Sequence, residues 1–258
     1  MKTETLFDLT GEVALVTGAS SGLGERFAEV LAAHGASVVV AARRADRLEV
    51  LCRRIVADGG KAQAVEMDVS DQAMISGAFD NAEAAFGTIT IVVNNAGVAG
   101  NKPVFDVTPE DWRNVMSVNL DGVWFVAQEA ARRMKAADCQ GNIINIASVL
   151  SFRAARTVAA YAASKGAVLQ LTRNLALEFA RYNIRVNAIA PGYILTEINK
   201  AYFDSPDSAP MIKRIPQRRI GDPSDLDGSL LLLASNKASG YMTGSTIVVD
   251  GGHLLPVD

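Results

Sequence analysis

A tyrosine and a lysine stand four residues apart in the segment Tyr161-Ala162-Ala163-Ser164-Lys165. On a helix this spacing places the phenol and the ammonium on one face, within reach of a shared ligand. A cation beside a phenol favours phenolate, so we expect Lys165 to lower the pKa of Tyr161 below its usual ~10. Ser148 lies thirteen residues before Tyr161, at the end of an apolar run, and offers a second hydroxyl. Because Tyr-x-x-x-Lys is a short pattern, a core tyrosine beside a solvated lysine is the alternative.

A glycine-rich turn follows the first apolar run and leads into a helix, with the sequence Thr17-Gly18-Ala19-Ser20-Ser21-Gly22-Leu23-Gly24. Glycines let the backbone turn sharply and approach a pyrophosphate, and a helix N-terminus offers free N–H groups to its charge. The spacing differs from Gly-x-Gly-x-x-Gly, so the pattern alone does not identify a site. We predict that this turn binds a dinucleotide, and a turn used only for packing is the alternative.

The residues after the second apolar run distinguish between the two nicotinamide dinucleotides. An NAD site places an acidic residue about twenty residues after the glycines, against the ribose 2′-hydroxyl. Ala42 occupies that position, and Arg43 and Arg44 follow it. A guanidinium can donate two charge-assisted hydrogen bonds to a 2′-phosphate. The sequence therefore favours NADP, with Arg43 as the main contact and Arg44 as a secondary one, unless both arginines belong to a solvated helix start that pairs with Asp46 or Glu49.

Length and composition predict one large folded α/β domain over residues 1–258. The chain has 258 residues, of which 49% are hydrophobic and 21% charged, as in ordinary globular proteins. Its net charge of −3 provides no basic field for nucleic acid. No stretch approaches the ~20 apolar residues of a membrane span, and the polar first residues do not resemble a signal peptide. Cys52 and Cys139 form no disulfide framework or zinc motif. We therefore expect a cytoplasmic protein that binds neither membrane, nucleic acid nor metal.

Short β-branched runs alternate with helical segments, which is typical of a parallel sheet covered by helices on both faces. The predicted strands are Val13–Thr17, Ser37–Ala41, Ala62–Met67, Thr90–Asn94, Asn142–Ala147, Arg185–Ala190 and Thr246–Asp250. Helices are predicted to start at Thr108-Pro109 and Asp222-Pro223, where proline follows a capping residue. Another is predicted over Ala159–Phe179, and prolines make Tyr193–Gly221 the least regular segment.

Taken in order, these motifs resemble the short-chain dehydrogenase/reductase family. The similarity runs from about Leu9 to His253 and is carried by the glycine turn, Asn94-Asn95-Ala96-Gly97, Asn119, Ser148, Tyr161-x-x-x-Lys165 and Pro191-Gly192-Tyr193-Ile194-Leu195-Thr196. It implies a Rossmann-type, doubly wound parallel sheet of seven strands in the order 3-2-1-4-5-6-7, with helices on both faces. It also implies a homotetramer built partly through the long helices after the fourth and fifth strands.

The resemblance implies a catalytic tetrad of Asn119, Ser148, Tyr161 and Lys165. Tyr161 would exchange a proton with the substrate oxygen while Ser148 hydrogen-bonds the same oxygen. Lys165 would hold the nicotinamide ribose and bias the Tyr161 pKa, and Asn119 would position a water between Lys165 and solvent. These roles meet a physical need, because hydride transfer to a ketone builds negative charge on oxygen. The chemistry requires no metal.

The resemblance also implies the residues that contact NADP(H). Asp68 and Val69 would border the adenine, the segment 95–97 the adenosine ribose, and Ile194 and Thr196 the nicotinamide carboxamide. A turn cap before Ser70 is the alternative for Asp68. The predicted contacts are Gly18, Ser20, Ser21, Gly22, Leu23, Gly24, Arg43, Arg44, Asp68, Val69, Asn95, Ala96, Gly97, Tyr161, Lys165, Ile194 and Thr196.

We therefore expect an NADP(H)-dependent oxidoreductase that interconverts a ketone and a secondary alcohol of a small molecule, in the sense of a carbonyl or oxo reductase. An NADP-sensing regulatory protein without turnover is the alternative, although a sensor has no use for a proton donor beside a cation. A scaffold that uses only its oligomer surface is a third possibility and leaves the glycine turn unexplained.

Two segments should border the substrate, because ligands of this fold lie beyond the carboxyl ends of the strands. They are Val149–Ala160 and the segment 193–221, which we expect to be a mobile substrate loop. The segments carry more positive than negative charge, which favours an anionic ketone. The cations are Arg153, Arg156, Lys213, Arg214, Arg218 and Arg219, against the acids Asp204 and Asp207. The alternative is that these charges are solvated or form subunit contacts, around a largely apolar pocket of Val149, Phe152, Tyr193 and Phe203.

Overall fold

Seven parallel strands form one sheet in the computed structural model, which describes residues 5–197 and 199–255. The strands are β1 Val13–Thr17, β2 Ser37–Ala42, β3 Lys61–Glu66, β4 Ile91–Asn94, β5 Gly141–Ile146, β6 Ile184–Pro191 and β7 Thr246–Val249. Their order is β3-β2-β1-β4-β5-β6-β7, as predicted. Each strand begins and ends within one residue of its predicted bounds. The polar residues 1–4, which bear on the signal-peptide prediction, lie outside the described residues.

The central strands are buried on both faces, which explains their continuous apolar sequences. All five residues of β1 are buried. In β2, Val38 and Val40 pack into one core cluster and Val39 and Ala41 into the other. Successive side chains of a strand point to opposite faces, so one short run serves two cores.

Helices cover both faces of the sheet. On one face Phe27 and Leu48 enter the core, and on the other Phe79 and Val126 do so. None of the helices in the described part of the chain is long and apolar enough to cross a bilayer. The α-helices of that part are α1 Gly22–Ala33, α2 Ala45–Ala57, α3 Gln72–Phe86, α4 Pro109–Met116, α5 Gly122–Ala136, α6 Ala159–Phe179, α7 Lys200–Phe203, α8 Ala209–Ile212, α9 Asp227–Ala234 and α10 Asn236–Ser239.

The two proline-marked helix starts have different outcomes. Thr108 and Asp111 form a capping box at the start of α4, as predicted. Asp222 forms a capping box with Asp225, but it heads a short 3₁₀ helix over Pro223–Leu226, and the α-helix begins only at Asp227. The third prediction, α6 over Ala159–Phe179, is confirmed at both ends.

The segment 193–221 leaves the sheet after β6 and returns to its own starting point. The Leu195 N–H donates to the Gly221 carbonyl at 2.8 Å, and the Gly221 N–H donates to the Tyr193 carbonyl at 2.9 Å. Pro206 and Pro210 lie in the first turns of short helices, where a missing N–H costs nothing. The segment is therefore a long loop whose two ends are hydrogen-bonded to each other at the carboxyl end of β6.

Candidate active site

Ser148, Tyr161 and Lys165 meet where β5 ends. Ser148 caps a 3₁₀ turn and its Oγ accepts a hydrogen bond from the Leu150 N–H at 3.1 Å. The Lys165 Nζ donates to the carbonyl of Ile146, the last residue of β5, at 2.6 Å. The same Nζ lies 5.8 Å from the centroid of the Tyr161 ring. The phenol and the ammonium therefore share one face of α6, beside the Ser148 turn.

The prediction that Lys165 lowers the Tyr161 pKa is wrong in direction. Burial raises the pKa of Tyr161, and its hydrogen bond with Ser148 only partly opposes that shift. Burial also lowers the pKa of the Lys165 ammonium to about 8. The physical reason is desolvation, which disfavours the charged form of each group. Tyr161 is consequently a protonated phenol at neutral pH.

Asn119 is buried in a π-helical turn, Ser117–Asp121, between α4 and α5. Its Oδ1 accepts from the Val98 N–H at 2.8 Å, and its Nδ2 donates to the Val98 carbonyl at 3.0 Å. Gly97 brings it close to Lys165. A Cβ placed on Gly97 would lie 3.4 Å from the Asn119 Oδ1 and 3.8 Å from the Lys165 Nζ. The π turn, a feature frequent at functional sites, thus sets Asn119 beside the buried ammonium.

Two serines that sequence reasoning missed hold these groups in place. The Ser164 Oγ donates to the Tyr161 carbonyl at 2.8 Å and accepts from the Asn119 Nδ2 at 3.2 Å. The Ser151 Oγ donates to the Lys165 carbonyl at 2.8 Å. A serine three residues after Tyr161 on a helix could have been expected to bond back to that carbonyl. Its second bond, to Asn119, is a tertiary contact that no local pattern reveals.

The glycine turn leaves no room for side chains. A Cβ on Gly18 would lie 2.7 Å from the Ala96 Cα, and one on Gly24 would lie 2.4 Å from the Gly18 carbonyl oxygen. Gly18 also has a φ of +65°, a conformation that glycine adopts without strain. The Asn95 Nδ2 donates to the Thr17 carbonyl at 2.9 Å and so ties the turn to the residues after β4. The backbone of the turn is therefore bare and fixed in position.

The N-terminus of α1 and Arg44 lie together at this turn. Ser21 precedes the helix, and its side chain makes no capping bond, so the first N–H groups remain open to an anion. The Arg44 Nη2 donates to the Ser20 Oγ at 2.8 Å and to the Ser21 Oγ at 3.1 Å. Leu23 packs against the core and anchors the first turn of α1.

Arg43 points to the end of β3 rather than to the glycine turn. Its Nη1 lies 3.8 Å from the Asp68 Oδ2. The Asp68 Oδ1 accepts from the Ser70 N–H at 2.9 Å and from the Ser70 Oγ at 2.7 Å, so the turn-cap interpretation of Asp68 is confirmed. Burial raises the pKa of Asp68, but the Ser70 bonds and the Arg43 charge outweigh it and leave the pKa lowered. The Val69 side chain packs against Gly122 in the core.

Ile194 and Thr196 lie at the start of the segment 193–221 and have different surroundings. Ile194 is buried and pairs with Gly221 in an isolated parallel bridge. A Cβ on Gly22 would lie 3.4 Å from the Thr196 Cγ2, which places Thr196 over the glycine turn. Asn199, which sequence reasoning missed, holds both residues. Its Nδ2 donates to the Ile194 carbonyl and its Oδ1 accepts from the Thr196 N–H, each at 2.8 Å.

The cations of the pocket-bordering segments differ in their partners. Arg219 is paired with Asp225 at 2.6 Å. The Arg218 guanidinium donates to the Lys213 carbonyl, and Arg156 is exposed. Arg153 instead turns inward, where its Nη1 donates to the carbonyl of His253 at 3.2 Å. The six cations therefore have different surroundings, and the preference for an anionic ketone stays a prediction.

Aromatic rings line the same region. The Tyr193 ring centroid lies 6.0 Å from that of Phe203 and 5.3 Å from that of His253. His253 was not a candidate from the sequence, because it stands alone near the end of the chain with no motif around it. It joins the apolar residues Tyr193 and Phe203 that the sequence had placed near the substrate.

Comparison with known proteins finds relatives that match nearly the whole chain. A family model described as enoyl-(acyl carrier protein) reductase matches residues 18–253. The 5-keto-D-gluconate 5-reductase of Escherichia coli (strain K12) is 38% identical over 253 residues, which cover 98% of this chain and 99% of the relative. 

Two solved structures share the fold. A gluconate 5-dehydrogenase from Burkholderia cenocepacia J2315, in complex with NADP and tartrate, has a TM-score of 0.94 and 42% identity, covering 99% of this chain and 100% of that one. A short-chain type dehydrogenase/reductase from Mycobacterium marinum has a TM-score of 0.92 and 40% identity, covering 97% and 98%. Since both the sequence and the fold match over almost their full lengths, the chain belongs to the short-chain dehydrogenase/reductase family.

Proposed function

We propose that the protein is an NADP(H)-dependent oxidoreductase that interconverts a ketone and a secondary alcohol, and that it works chiefly as a carbonyl reductase. The observation that carries the proposal is the meeting of Ser148, Tyr161 and Lys165 at the carboxyl end of β5. Ligands of doubly wound sheets bind at this edge. The relatives named above are dehydrogenases and reductases of this kind.

The residues present fit NADP(H). The bare glycine turn and the open N-terminus of α1 suit the pyrophosphate, and a side chain at Gly18 or Gly24 would displace the backbone that forms the turn. Arg44, with Ser20 beside it and Arg43 nearby, suits a 2′-phosphate. The other proposed contacts are those predicted from the sequence, with Asn95 acting through its hold on the turn. When bound, NADPH supplies the hydride.

Tyr161 is the proposed proton donor to the carbonyl oxygen. Its raised pKa keeps the phenol protonated at neutral pH, which suits reduction, where a proton must be given up. Ser148 would hydrogen-bond the same oxygen as negative charge builds on it. A donor placed in this way typically contributes about 10²–10³ in rate.

Lys165 and Asn119 would support that proton transfer. Lys165 is buried beside Tyr161, so its ammonium would act on the ribose hydroxyls and on the phenol through protein rather than through water. The Asn119 Nδ2 is fully used by Val98 and Ser164. Its Oδ1 accepts one bond from the protein and keeps a second lone pair, which could hold a water next to Lys165.

We further propose that residues 1–258 form one domain and that the segment 193–221 is its mobile substrate loop. Relatives that act on gluconate and keto-gluconate make a polyhydroxy oxo acid the leading substrate candidate. The aromatic rings of Tyr193 and Phe203 would cover the carbon chain of such a substrate.

A homotetramer in the cytoplasm completes the proposal. Trp124 on α5 and Leu177 on α6 are exposed apolar side chains on the two helices where the family resemblance places subunit contacts. Cys52 and Cys139 are free thiols, as a reducing compartment would keep them. Light scattering of the purified protein tests the assembly, and a monomer at working concentration would contradict it.

The deciding experiment is NADPH oxidation against a panel of ketones, oxo acids and acyl thioesters. We expect turnover of at least one class, with NADPH favoured over NADH. Tight NADPH binding without turnover of any member, in a correctly folded sample, would instead support the sensor alternative.

A further inference from the structure

The end of the described chain forms a fixed turn against the segment 193–221. The Asp250 carboxylate accepts from the Gly252 and Leu254 N–H groups, each at 2.8 Å. The Gln217 N–H donates to the Gly251 carbonyl at 3.1 Å. These bonds hold residues 250–254 beside the segment 193–221. They add a third segment to the two that the sequence predicted to border the substrate.

His253 is the residue of this turn that faces the pocket-bordering segments. Its ring lies 5.3 Å from the Tyr193 ring, and its carbonyl accepts from the Arg153 Nη1 at 3.2 Å. Tyr193 also contributes, after burial, to the raised pKa of Tyr161. His253 thus contacts both pocket-bordering segments, Val149–Ala160 through Arg153 and 193–221 through Tyr193.

The buried His253 side chain has an unpaired ring nitrogen and is affected by the charges of two arginines. His253 is 7% exposed, and its Nδ1 has no hydrogen-bond partner among the described residues. Buried polar atoms without a partner are rare and call for a specific explanation, such as a ligand. Burial, followed by the charges of Arg153 and Arg214, lowers the pKa of His253, while Asp250 opposes them. The imidazole is therefore neutral near pH 7 and lies in a locally positive field.

We propose that Arg153 and His253 form a subsite for the carboxylate of a small oxo acid whose carbonyl lies at Tyr161, and that the exposed Arg214 adds positive charge to it. The inference rests on the proposed function, because it needs a reacting carbonyl at that phenol. The Arg153 guanidinium supplies charge and a fork geometry that suits a carboxylate, and the imidazole supplies a neutral hydrogen bond. Arg156, Arg218 and Arg219 do not take part.

Two ketones that differ in one group test the subsite. They are 5-keto-D-gluconate and L-sorbose, in which a primary alcohol replaces the carboxylate. The variants are Arg153→Gln, Arg214→Gln and His253→Asn, each compared with Arg156→Gln, which removes an exposed positive charge from the segment that also carries Arg153. We expect the kcat/KM ratio of the acid to the sugar to fall about tenfold or more in Arg153→Gln, mainly through KM, and to fall less in Arg214→Gln, whose side chain is exposed. His253→Asn should lower it less, and Arg156→Gln should leave it unchanged.

The outcomes separate the subsite from the proposed function. A wild type that reduces ketones, with variants that leave the acid-to-sugar ratio unchanged, would overturn the subsite alone. If no ketone is reduced, the proposed function fails, and calorimetric binding of D-gluconate and D-glucitol to the NADP-loaded protein then decides on the subsite. Equal affinities for the two in the wild type would overturn it. Should Arg153→Gln fail to fold, Arg153→Lys keeps the charge, and a loss of the ratio there would point to the lost fork geometry.

Discussion

Replacing Arg44 by leucine should lower the preference for NADPH over NADH by about tenfold. The Arg44 guanidinium is held over the glycine turn by the hydroxyls of Ser20 and Ser21, at 2.8 and 3.1 Å, so little order is lost when a phosphate binds. Hydrogen bonds to charged groups contribute ~1.5–3 kcal/mol, or about ten- to a hundredfold. Arg44 is exposed, and solvent screening places the effect near the lower end. The assay is the ratio of kcat/KM for the two cofactors.

Arg43 should contribute no more than Arg44 to the preference for NADPH, although the sequence alone predicted Arg43 as the main contact of the 2′-phosphate. Its side chain is 68% exposed, and its partner at 3.8 Å is Asp68, which competes with a phosphate for the guanidinium. The double change Ala42→Asp/Arg43→Leu should favour NADH, because a carboxylate at the end of β2 can accept hydrogen bonds from ribose hydroxyls.

Arg47→Leu is the matched control for these changes. Arg47 lies in the first turn of α2, directly after the changed residues, but it pairs with Glu197 at 3.3 Å instead of with the serines of the glycine turn. Its loss should leave the cofactor ratio near the wild-type value. A wild type that prefers NADH, or an Arg44→Leu variant with an unchanged ratio, would refute the reasoning.

Three further predictions follow from the site. Ser164→Ala removes the hydroxyl that links the Tyr161 carbonyl to the Asn119 Nδ2, and the loss of the bond to Asn119, ~0.5–1.5 kcal/mol, should lower kcat about two- to tenfold with NADPH affinity almost unchanged. Ser164→Thr should recover part of the rate, and equal losses in affinity and kcat would argue for a general folding defect. Gly24→Ala should weaken NADPH binding measured by fluorescence, because its Cβ would lie 2.4 Å from a carbonyl oxygen of the turn; wild-type affinity would mean that the turn does not hold the cofactor. The kcat/KM for ketone reduction should be constant near neutral pH and fall as pH rises through about 8, where Lys165 loses its charge; a profile that rises there would contradict the assigned protonation states.

The elements could be predicted because each depends on local pattern, whereas the order of the strands in the sheet came from the family resemblance. Apolar β-branched runs gave the strands, and the Thr108-Pro109 pair gave the start of α4. The pairing of Tyr161 with Lys165 followed from helical spacing alone. Asp222 shows the limit of such rules, since the same capping chemistry serves a 3₁₀ and an α-helix.

The electrostatics of the site could not be predicted in the same way. The i, i+4 spacing predicted that Lys165 and Tyr161 lie on one face of a helix. The sequence does not show how deeply the two side chains are buried, and burial decides the direction of each pKa shift. The roles of Ser164, Asn199 and His253 depend on partners far along the chain or in other loops. Side chains of this kind become candidates only when the fold has placed their partners.

The Tyr161→Phe variant tests most directly whether this phenol donates the proton. The assay is NADPH oxidation with 5-keto-D-gluconate or whichever ketone of the panel the wild type reduces best. We expect kcat to fall by ~10²–10⁴-fold with NADPH affinity nearly intact, because only the proton donor is removed. In the companion variant Lys165→Ala, cofactor affinity should fall together with rate. A Tyr161→Phe enzyme that keeps most of the wild-type rate would contradict the central claim that this phenol donates the proton.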